Sequence, residues 1–251
     1  KGLDPAIMGY GPFYATKAAC LNGVKLILSE NHSKERTIQS FAFTPKGRLI
    51  LRSRRAGDTI RLTGITDDRG VANLHLLDSL TVLSTADLSG KSLIDVGCGA
   101  GFPGVPLAIA SGAKVTLLDS LGKRMKWLEE VLPTLGIEAE CITARAEEAV
   151  ATRRESYDFA TSRAVARLNI LLELTAPYVK VGGAVLAMKG AAAREELEEA
   201  KNAISKLGLK VESVKEFPMD GTAHTVIVLK KVAPTPPQYP RRYAKIKQQP
   251  L

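Results

Sequence analysis

Only three cysteines and three histidines occur in the 251 residues. Cys20, Cys98 and Cys141 are odd in number and form no C-x-x-C pair. That argues against a disulfide framework or a zinc ribbon and for reduced thiols in the cytoplasm. His32, His75 and His224 are scattered along the chain, so no metal site is expected. No apolar run reaches the ~18 residues of a membrane span. No charged start followed by an apolar core and a small-residue cleavage site marks a signal peptide. Residues 230–251 hold six Lys and Arg and no acid at all.

That absence of acid is part of a wider asymmetry. Residues 1–64 carry 11 basic and 4 acidic groups, whereas residues 65–229 carry 18 basic and 22 acidic ones. The net +9 therefore belongs to the two ends. A nucleic-acid partner would be gripped there, or by local basic clusters, and not by a uniformly positive domain. The length suits one large domain with an appendage, and a hydrophobic content of 45% is ordinary for a globular chain.

The richest stretch is Leu93-Ile94-Asp95-Val96-Gly97-Cys98-Gly99-Ala100-Gly101-Phe102-Pro103-Gly104. It reads as a short apolar strand entering a glycine turn, with a helix directly after it. Such a turn lets the backbone approach a ligand closely, and in open α/β sheets it is where nucleotide-like cofactors bind. Two cofactor patterns share these glycines. Gly99 to Gly104 fits the dinucleotide G-x-G-x-x-G, with Asp119 twenty residues after Gly99 as the ribose acid. Asp95 to Gly101 instead fits the acidic-x-G-x-G-x-G loop of S-adenosylmethionine (SAM) methyltransferases. Asp95 and the extra Gly97 favour SAM. Pro103 does too, because it removes an N–H that a pyrophosphate would use. A glycine turn with no ligand is the plain alternative.

From residue 92 the pattern alternates strands (92–96, 114–119, 138–143, 157–162, 183–188) with helices (103–111, 122–135, 165–179, 191–207, and a short one near 146–151). Alternation at this spacing predicts a doubly wound, mostly parallel sheet. Pro133 is expected to shorten or kink its helix. The segment 191–207 places Glu195, Glu196, Glu198 and Glu199 before Lys201 and Lys206, which reads as a solvated helix. Lys210–Phe217 and Thr222–Lys231 then form an antiparallel β-hairpin, the ending typical of class I SAM methyltransferases rather than of the two-half dinucleotide fold. Ahead of the sheet, residues 71–84 read as a helix, and residues 38–62 look β-like with a turn at Thr44-Pro45-Lys46-Gly47. Residues 1–22 show little periodicity.

From about residue 65 onward the chain resembles the bacterial glucose-inhibited division protein B family, the small-subunit ribosomal RNA guanine-N7 methyltransferases. The resemblance rests on Ile65-Thr66-Asp67, on His75 to Leu80, and on Asp95 to Pro106, with Cys98 where threonine is more usual. It continues through Leu117 to Arg124, Arg145-Ala146-Glu147-Glu148, Ser162-Arg163-Ala164 and Met188-Lys189-Gly190. It closes with Tyr239-Pro240-Arg241-Arg242 and the final Pro250-Leu251. Residues 1–64 do not fit. Leu3 to Pro12 looks like a stretch of thiolases, and Leu49 to Asp58 looks like a piece of tRNA(Ile)-lysidine synthetases. The organisation expected is an atypical segment 1–64, a Rossmann-like methyltransferase domain 65–229 and a basic, proline-rich tail 230–251.

The resemblance implies SAM as cofactor, 16S rRNA or the small ribosomal subunit as partner, and a cytoplasmic monomer without metal or membrane. It implies a cofactor site of Asp95, Gly97, Gly99, Gly101, Phe102, Asp119, Ser120, Ala146, Glu147 and Arg163. Asp119 would hold the ribose hydroxyls, or else cap the helix that begins near Leu121. Arg163 and Lys189 are candidates for positioning the substrate; the alternatives are a surface ion pair and a solvated strand end. Lys123, Arg124, Lys189, Arg241 and Arg242 are candidate RNA contacts, with solvated faces as the alternative. His75 reads equally as a hydrogen-bonded packing residue. The tail reads as an RNA-contacting extension rather than an inert end. Guanine N7 attacks with its own lone pair, so no general base is required. Cys98 and Cys141 are not placed as nucleophiles for cytosine C5. The Asn/Asp-Pro-Pro-aromatic box of exocyclic amine methylation is replaced by Thr161-Ser162-Arg163-Ala164. A small-molecule SAM methyltransferase and a non-catalytic RNA-binding protein remain the alternatives.

Overall fold

A computed structural model describes residues 38–43, 49–53, 71–219 and 221–251. The turn expected at 44–47 and the non-periodic stretch 1–22 lie outside the described residues. Strands β1 (Ile38–Phe43) and β2 (Leu49–Ser53) pair antiparallel, in line with the β-like reading of that region.

The main sheet has seven strands: β3 (Ser92–Val96), β4 (Lys114–Asp119), β5 (Ala139–Thr143), β6 (Tyr157–Arg163), β7 (Val179–Lys189), β8 (Leu209–Met219) and β9 (Thr222–Lys231). Their order is β5-β4-β3-β6-β7-β9-β8, parallel from β3 to β7, with β9 antiparallel to both β7 and β8. The chain winds outward in both directions from β3 and β6, so the crevice at their carboxyl ends is the switch point where such sheets bind ligands. Helices cover both faces. Leu93 and Leu117 point into one core with Leu107, Met125 and Leu128. Their neighbours Ile94 and Leu118 point into the other with Leu168, Leu171 and Leu172. Strand side chains alternate between faces, so burial of both faces makes these strands continuously apolar.

A helical segment precedes the sheet: a π-helical turn at Val71–Leu77, then α1 (Asp78–Leu80), then a 3-10 turn at Thr81–Ser84. It is followed by α2 (Gly104–Ser111), α3 (Gly122–Val131), α4 (Ala146–Ala149) and α5 (Leu168–Thr175). Pro133 sits in a 3-10 turn, Leu132–Leu135, that ends α3 early, as its missing N–H dictates.

Three expectations need correction. The helix read over 165–179 starts only at Leu168, because Ala164 takes a left-handed φ of +57° and the backbone up to Arg167 forms the wall of a cavity. The helix read over 191–207 is two, α6 (Ala193–Glu199) and α7 (Lys201–Lys206), broken at the fully buried Ala200. Within it Glu196 is not solvated; it reaches into the protein.

The tail also ends in a helix, α8 (Tyr243–Gln248), which the sequence reading did not include. Polar contacts dock it. Glu173, fully buried on α5, accepts the Arg241 main-chain N–H at 2.8 Å and both arms of its guanidinium at 2.8 and 2.6 Å. Lys231, also buried, donates to the Ala176 carbonyl at 2.9 Å and pairs with Glu155, whose carboxylate accepts the Thr235 N–H. Arg154 donates to the carbonyls of Thr235 and Tyr239. Ile246 is the buried apolar anchor of α8.

Candidate active site

The glycine turn after β3 is held from below. Asp95 is fully buried, and its Oδ2 accepts the Gly104 N–H at 2.7 Å, fixing the start of α2 against the strand. A methyl group on Gly104 would lie 2.9 Å from that oxygen and 2.5 Å from Leu117, so only glycine fits. The second oxygen, Oδ1, is buried without a hydrogen-bond partner. Burial raises the Asp95 carboxyl to about 7, partly offset by the Gly104 N–H and by Arg163. Asp95 thus supports the turn from beneath and lines neither of the site's two cavities.

Beside the turn is a cleft of about 350 Å³. Of the cofactor candidates, Gly97, Asp119, Ser120, Ala146 and Glu147 line it, whereas Asp95, Gly99, Gly101, Phe102 and Arg163 do not. Val96, Leu118, Ala144 and Leu174 give it apolar walls. Asp119 joins two elements: Oδ2 accepts the Gly99 N–H at 3.0 Å and Oδ1 accepts the Leu121 N–H at 2.8 Å. The Asp119 carboxylate thus holds the turn ahead of α3, whose N-cap Leu121 has no side-chain cap bond, and it also lines the cleft. Gly99 has φ +57°, and a methyl group there would meet only Arg124 Nη1, at 3.8 Å, so the turn leaves open space beside Asp119. A nucleoside-sized ligand with hydroxyls fits these features. Tyr243 of α8 also lines the cleft, and the Arg145 guanidinium lies 4.7 Å from its ring centroid. Neither residue was assigned a role from sequence. Arg145 belongs to the family-like Arg145-Ala146-Glu147-Glu148, but nothing in the tail composition pointed to Tyr243.

A second cavity, of about 540 Å³, adjoins the first; Ala164 and Val165 line both. Arg163 and Lys189, the two substrate-positioning candidates, meet here. Arg163 donates to the Leu74 carbonyl at 2.7 Å and to Asp78 Oδ2 at 2.9 Å, and it contacts His75 Nδ1 at 3.0 Å. Its guanidinium also lies 5.4 Å from the Phe102 ring, on which His75 stacks at 5.0 Å. Asp78 Oδ1 lies 2.8 Å from His224 Nδ1, so one buried carboxylate ties β6, β9 and the leading helical segment together. Burial, and then the charge of Arg163, lowers His75 to about 4, which leaves it an uncharged ring at neutral pH. In the sequence His75 matches a family position and reads at least as well as a packing residue, while Asp78 and His224 carry no assigned role. Their partners are separated by tens of residues in the chain, and no local pattern announces such pairs.

The other basic candidates fall into two groups. Lys123 and Arg242 are exposed, and Arg124 lies 3.8 Å from Asp119 at the cleft. Lys189 is 7% exposed and paired with Glu196 at 2.7 Å, and Arg241 is committed to Glu173, so neither presents a free cation to a phosphate. Among the described residues no cluster of His, Cys, Asp or Glu could hold a metal ion, and no helix is long and apolar enough to cross a membrane.

A doubly wound sheet closed by an antiparallel hairpin, with a glycine turn at the switch point and an acid ending the next strand, defines a class I SAM-dependent methyltransferase. Solved structures share the fold. A TYW2 from M. jannaschii in complex with AdoMet superposes with a TM-score of 0.57 at 15% identity, covering 80% of this chain and 90% of that one. A putative transferase from Pyrococcus horikoshii gives 0.57 at 16% identity over 77% and 71%.

The family model described as "GidB: rRNA small subunit methyltransferase G" matches residues 51–225, opening ahead of the boundary read at 65. The chain is 42% identical over 199 residues to ribosomal RNA small subunit methyltransferase G of Clostridium kluyveri, spanning 77% of this chain and 84% of that protein. It is 44% identical over 192 residues to the same-named protein of Alkaliphilus metalliredigens, spanning 74% and 80%. The chain belongs to the GidB family of small-subunit rRNA methyltransferases.

Proposed function

We propose that this protein transfers the methyl group of SAM to N7 of a guanine in 16S rRNA of the small ribosomal subunit. The observation that carries the reading is the pair of adjoining cavities. One has the size and hydroxyl-binding carboxylate a nucleoside cofactor needs, the other is large enough for a base, and both are lined by Ala164 and Val165. SAM supplies an electrophilic methyl on a sulfonium. Asp119 would take the ribose hydroxyls, the backbone of Gly97 to Gly101 would let the cofactor approach, and Ala146 and Glu147 would flank the adenine. The N7 lone pair forms the new C–N bond as the S–C bond breaks, and no proton has to leave the nitrogen. The protein's contribution is therefore placement and electrostatics. Asp78 neutralises Arg163 and His75 stays uncharged, so the wall near the methyl carries little excess positive charge to oppose a sulfonium.

Of the five RNA-contact candidates, Lys123, Arg124 and Arg242 remain to meet RNA phosphates. The segment 1–64 is read as an appendage to a cytoplasmic, monomeric enzyme. Limited proteolysis that trims to about residue 64 without loss of SAM binding supports this organisation, and an uncut front argues against it. The activity is tested by incubating the purified chain with methyl-labelled SAM and small subunits from cells lacking the gene. Label in the rRNA supports the reading; label only in small metabolites, or none, overturns it.

A further inference from the structure

We infer that Lys189 and Glu196 together form the base-reading element of the 540 Å³ cavity, selecting guanine by its O6 and N1 edge. The inference rests on the methyltransferase reading above and assigns the residues that choose the base.

The cavity lies within the ~300–1,000 Å³ range of small-ligand pockets. Enzymes that act on a base in RNA or DNA draw it out of the stack and read its Watson–Crick edge in such a pocket. Two carboxylates line this one, Asp78 and Glu196. Both Asp78 oxygens are engaged, one by His224 and one by Arg163. Glu196 is different. Its Oε2 accepts the Leu168 N–H at 2.8 Å and pairs with the Lys189 ammonium at 2.7 Å, which leaves Oε1 as the available acceptor. Lys189 donates to the Ala166 carbonyl and to Glu196, and an ammonium has a third N–H to give. The side chains are 7% and 14% exposed, so this is a fixed donor beside a fixed acceptor and not a mobile surface pair.

A donor next to an acceptor is the complement of guanine. Lys189 would donate to O6, and Glu196 Oε1 would accept from N1–H and the 2-amino group. Adenine in the same orientation presents the opposite order, a donor at N6 and an acceptor at N1, and would leave both groups unsatisfied. Lys189 and Glu196 line the larger cavity and not the smaller cleft, and Lys189 donates to the Ala166 carbonyl, next to the Ala164 and Val165 that line both. N7 and O6 share one edge of guanine, so a base whose O6 meets Lys189 would carry its N7 on the Lys189 side. The charges also favour a base over a phosphate. Lys189 is balanced by Glu196, Arg163 by Asp78 and Arg167 by Glu195 and Glu199, so these cations leave little excess positive charge to bind an anion.

The test is a cycle between protein and base. Wild-type protein and Glu196→Gln are assayed for kcat/KM on reconstituted small subunits carrying either guanine or inosine, which lacks only the 2-amino group, at the methylated position. The wild type should lose about tenfold on inosine, and Glu196→Gln should show a far smaller difference between the two bases. SAM affinity, measured by calorimetry, should be the same for both proteins. Equal discrimination by wild type and Glu196→Gln overturns the inference, since a merely structural Glu196 would lower both rates together. If Glu196→Gln does not fold, Lys189→Met takes its place with a 6-thioguanine subunit, where altered discrimination at position 6 supports the inference and unchanged discrimination overturns it. A wild type that methylates no rRNA at all refutes the underlying reading instead, and the two failures are thereby distinct.

Discussion

Replacing Arg241 by Met should undock the tail, and the structure sets the size of the effect. Glu173 is fully buried, and its charge is balanced by the two guanidinium arms of Arg241. Removing one partner of a buried pair costs about 3–5 kcal/mol, because the other charge stays buried without compensation. The main-chain N–H of residue 241 still donates to Glu173, which favours the lower end, about 3 kcal/mol. The chain has an escape, since release of the tail would hydrate Glu173. The loss is therefore capped at the docking energy of the tail, and whichever is smaller will be seen. Urea unfolding followed by circular dichroism gives the stability, and protease sensitivity after residue 231 reports the docking. SAM affinity should fall as well, because Tyr243 of α8 lines the cofactor cleft. Arg241→Met with Glu173→Leu should recover most of the stability, because two apolar groups replace an ion pair. A single variant that loses less than about 1 kcal/mol and keeps a protected tail, or a double variant no better than the single, refutes the reasoning.

Three further outcomes follow from the site. Asp95 titrates near 7 when folded, raised first by burial, against about 4 when unfolded. Its stabilising contribution is thus complete below pH ~4 and lost as pH rises through 7, so Asp95→Asn should flatten the fall in stability between pH 5 and pH 8 measured by urea midpoints; an unchanged slope counts against this. Gly97→Ala forces a side chain to φ +74° and brings its methyl 2.4 Å from Val165 Cγ2, so SAM binding by calorimetry should weaken at least about tenfold, with Val165→Ala restoring part of it. Asp119→Asn keeps one acceptor, for the Leu121 N–H, but sets its amide NH2 against the Gly99 N–H, so it should weaken SAM binding by roughly tenfold or more and lower stability by about 1–3 kcal/mol; lost stability with unchanged SAM affinity would make Asp119 a support of the turn alone.

The parts legible in the sequence were those written in local pattern. Strand–helix alternation and the apolar runs at 92–96 and 114–119 gave the parallel sheet, because strands buried on both faces have few other compositions. The glycine turn and Asp119 pointed to a cleft that the structure has at the carboxyl ends of β3 and β4, since positive φ and close approach demand glycine. The parts that escaped depend on contacts between distant segments. Arg241 is basic and follows a proline-rich stretch, which reads as a solvent-exposed RNA contact until buried Glu173 is seen beside it. Glu196 lies among four glutamates, and the positions of its neighbours on a solvated helix gave no hint that it alone turns inward to Lys189. Ala164 in the left-handed region cut short a helix that periodicity extended to 165. Asp78 and His224 are 146 residues apart and meet only because β9 returns antiparallel beside β7.

The central claim is methylation at N7 of a guanine in small-subunit rRNA, and mass mapping of 16S rRNA from cells with and without the gene tests it most directly. The account predicts a single 7-methylguanosine that disappears when the gene is removed and returns with the wild-type chain. Unchanged 7-methylguanosine in cells without the gene would contradict it.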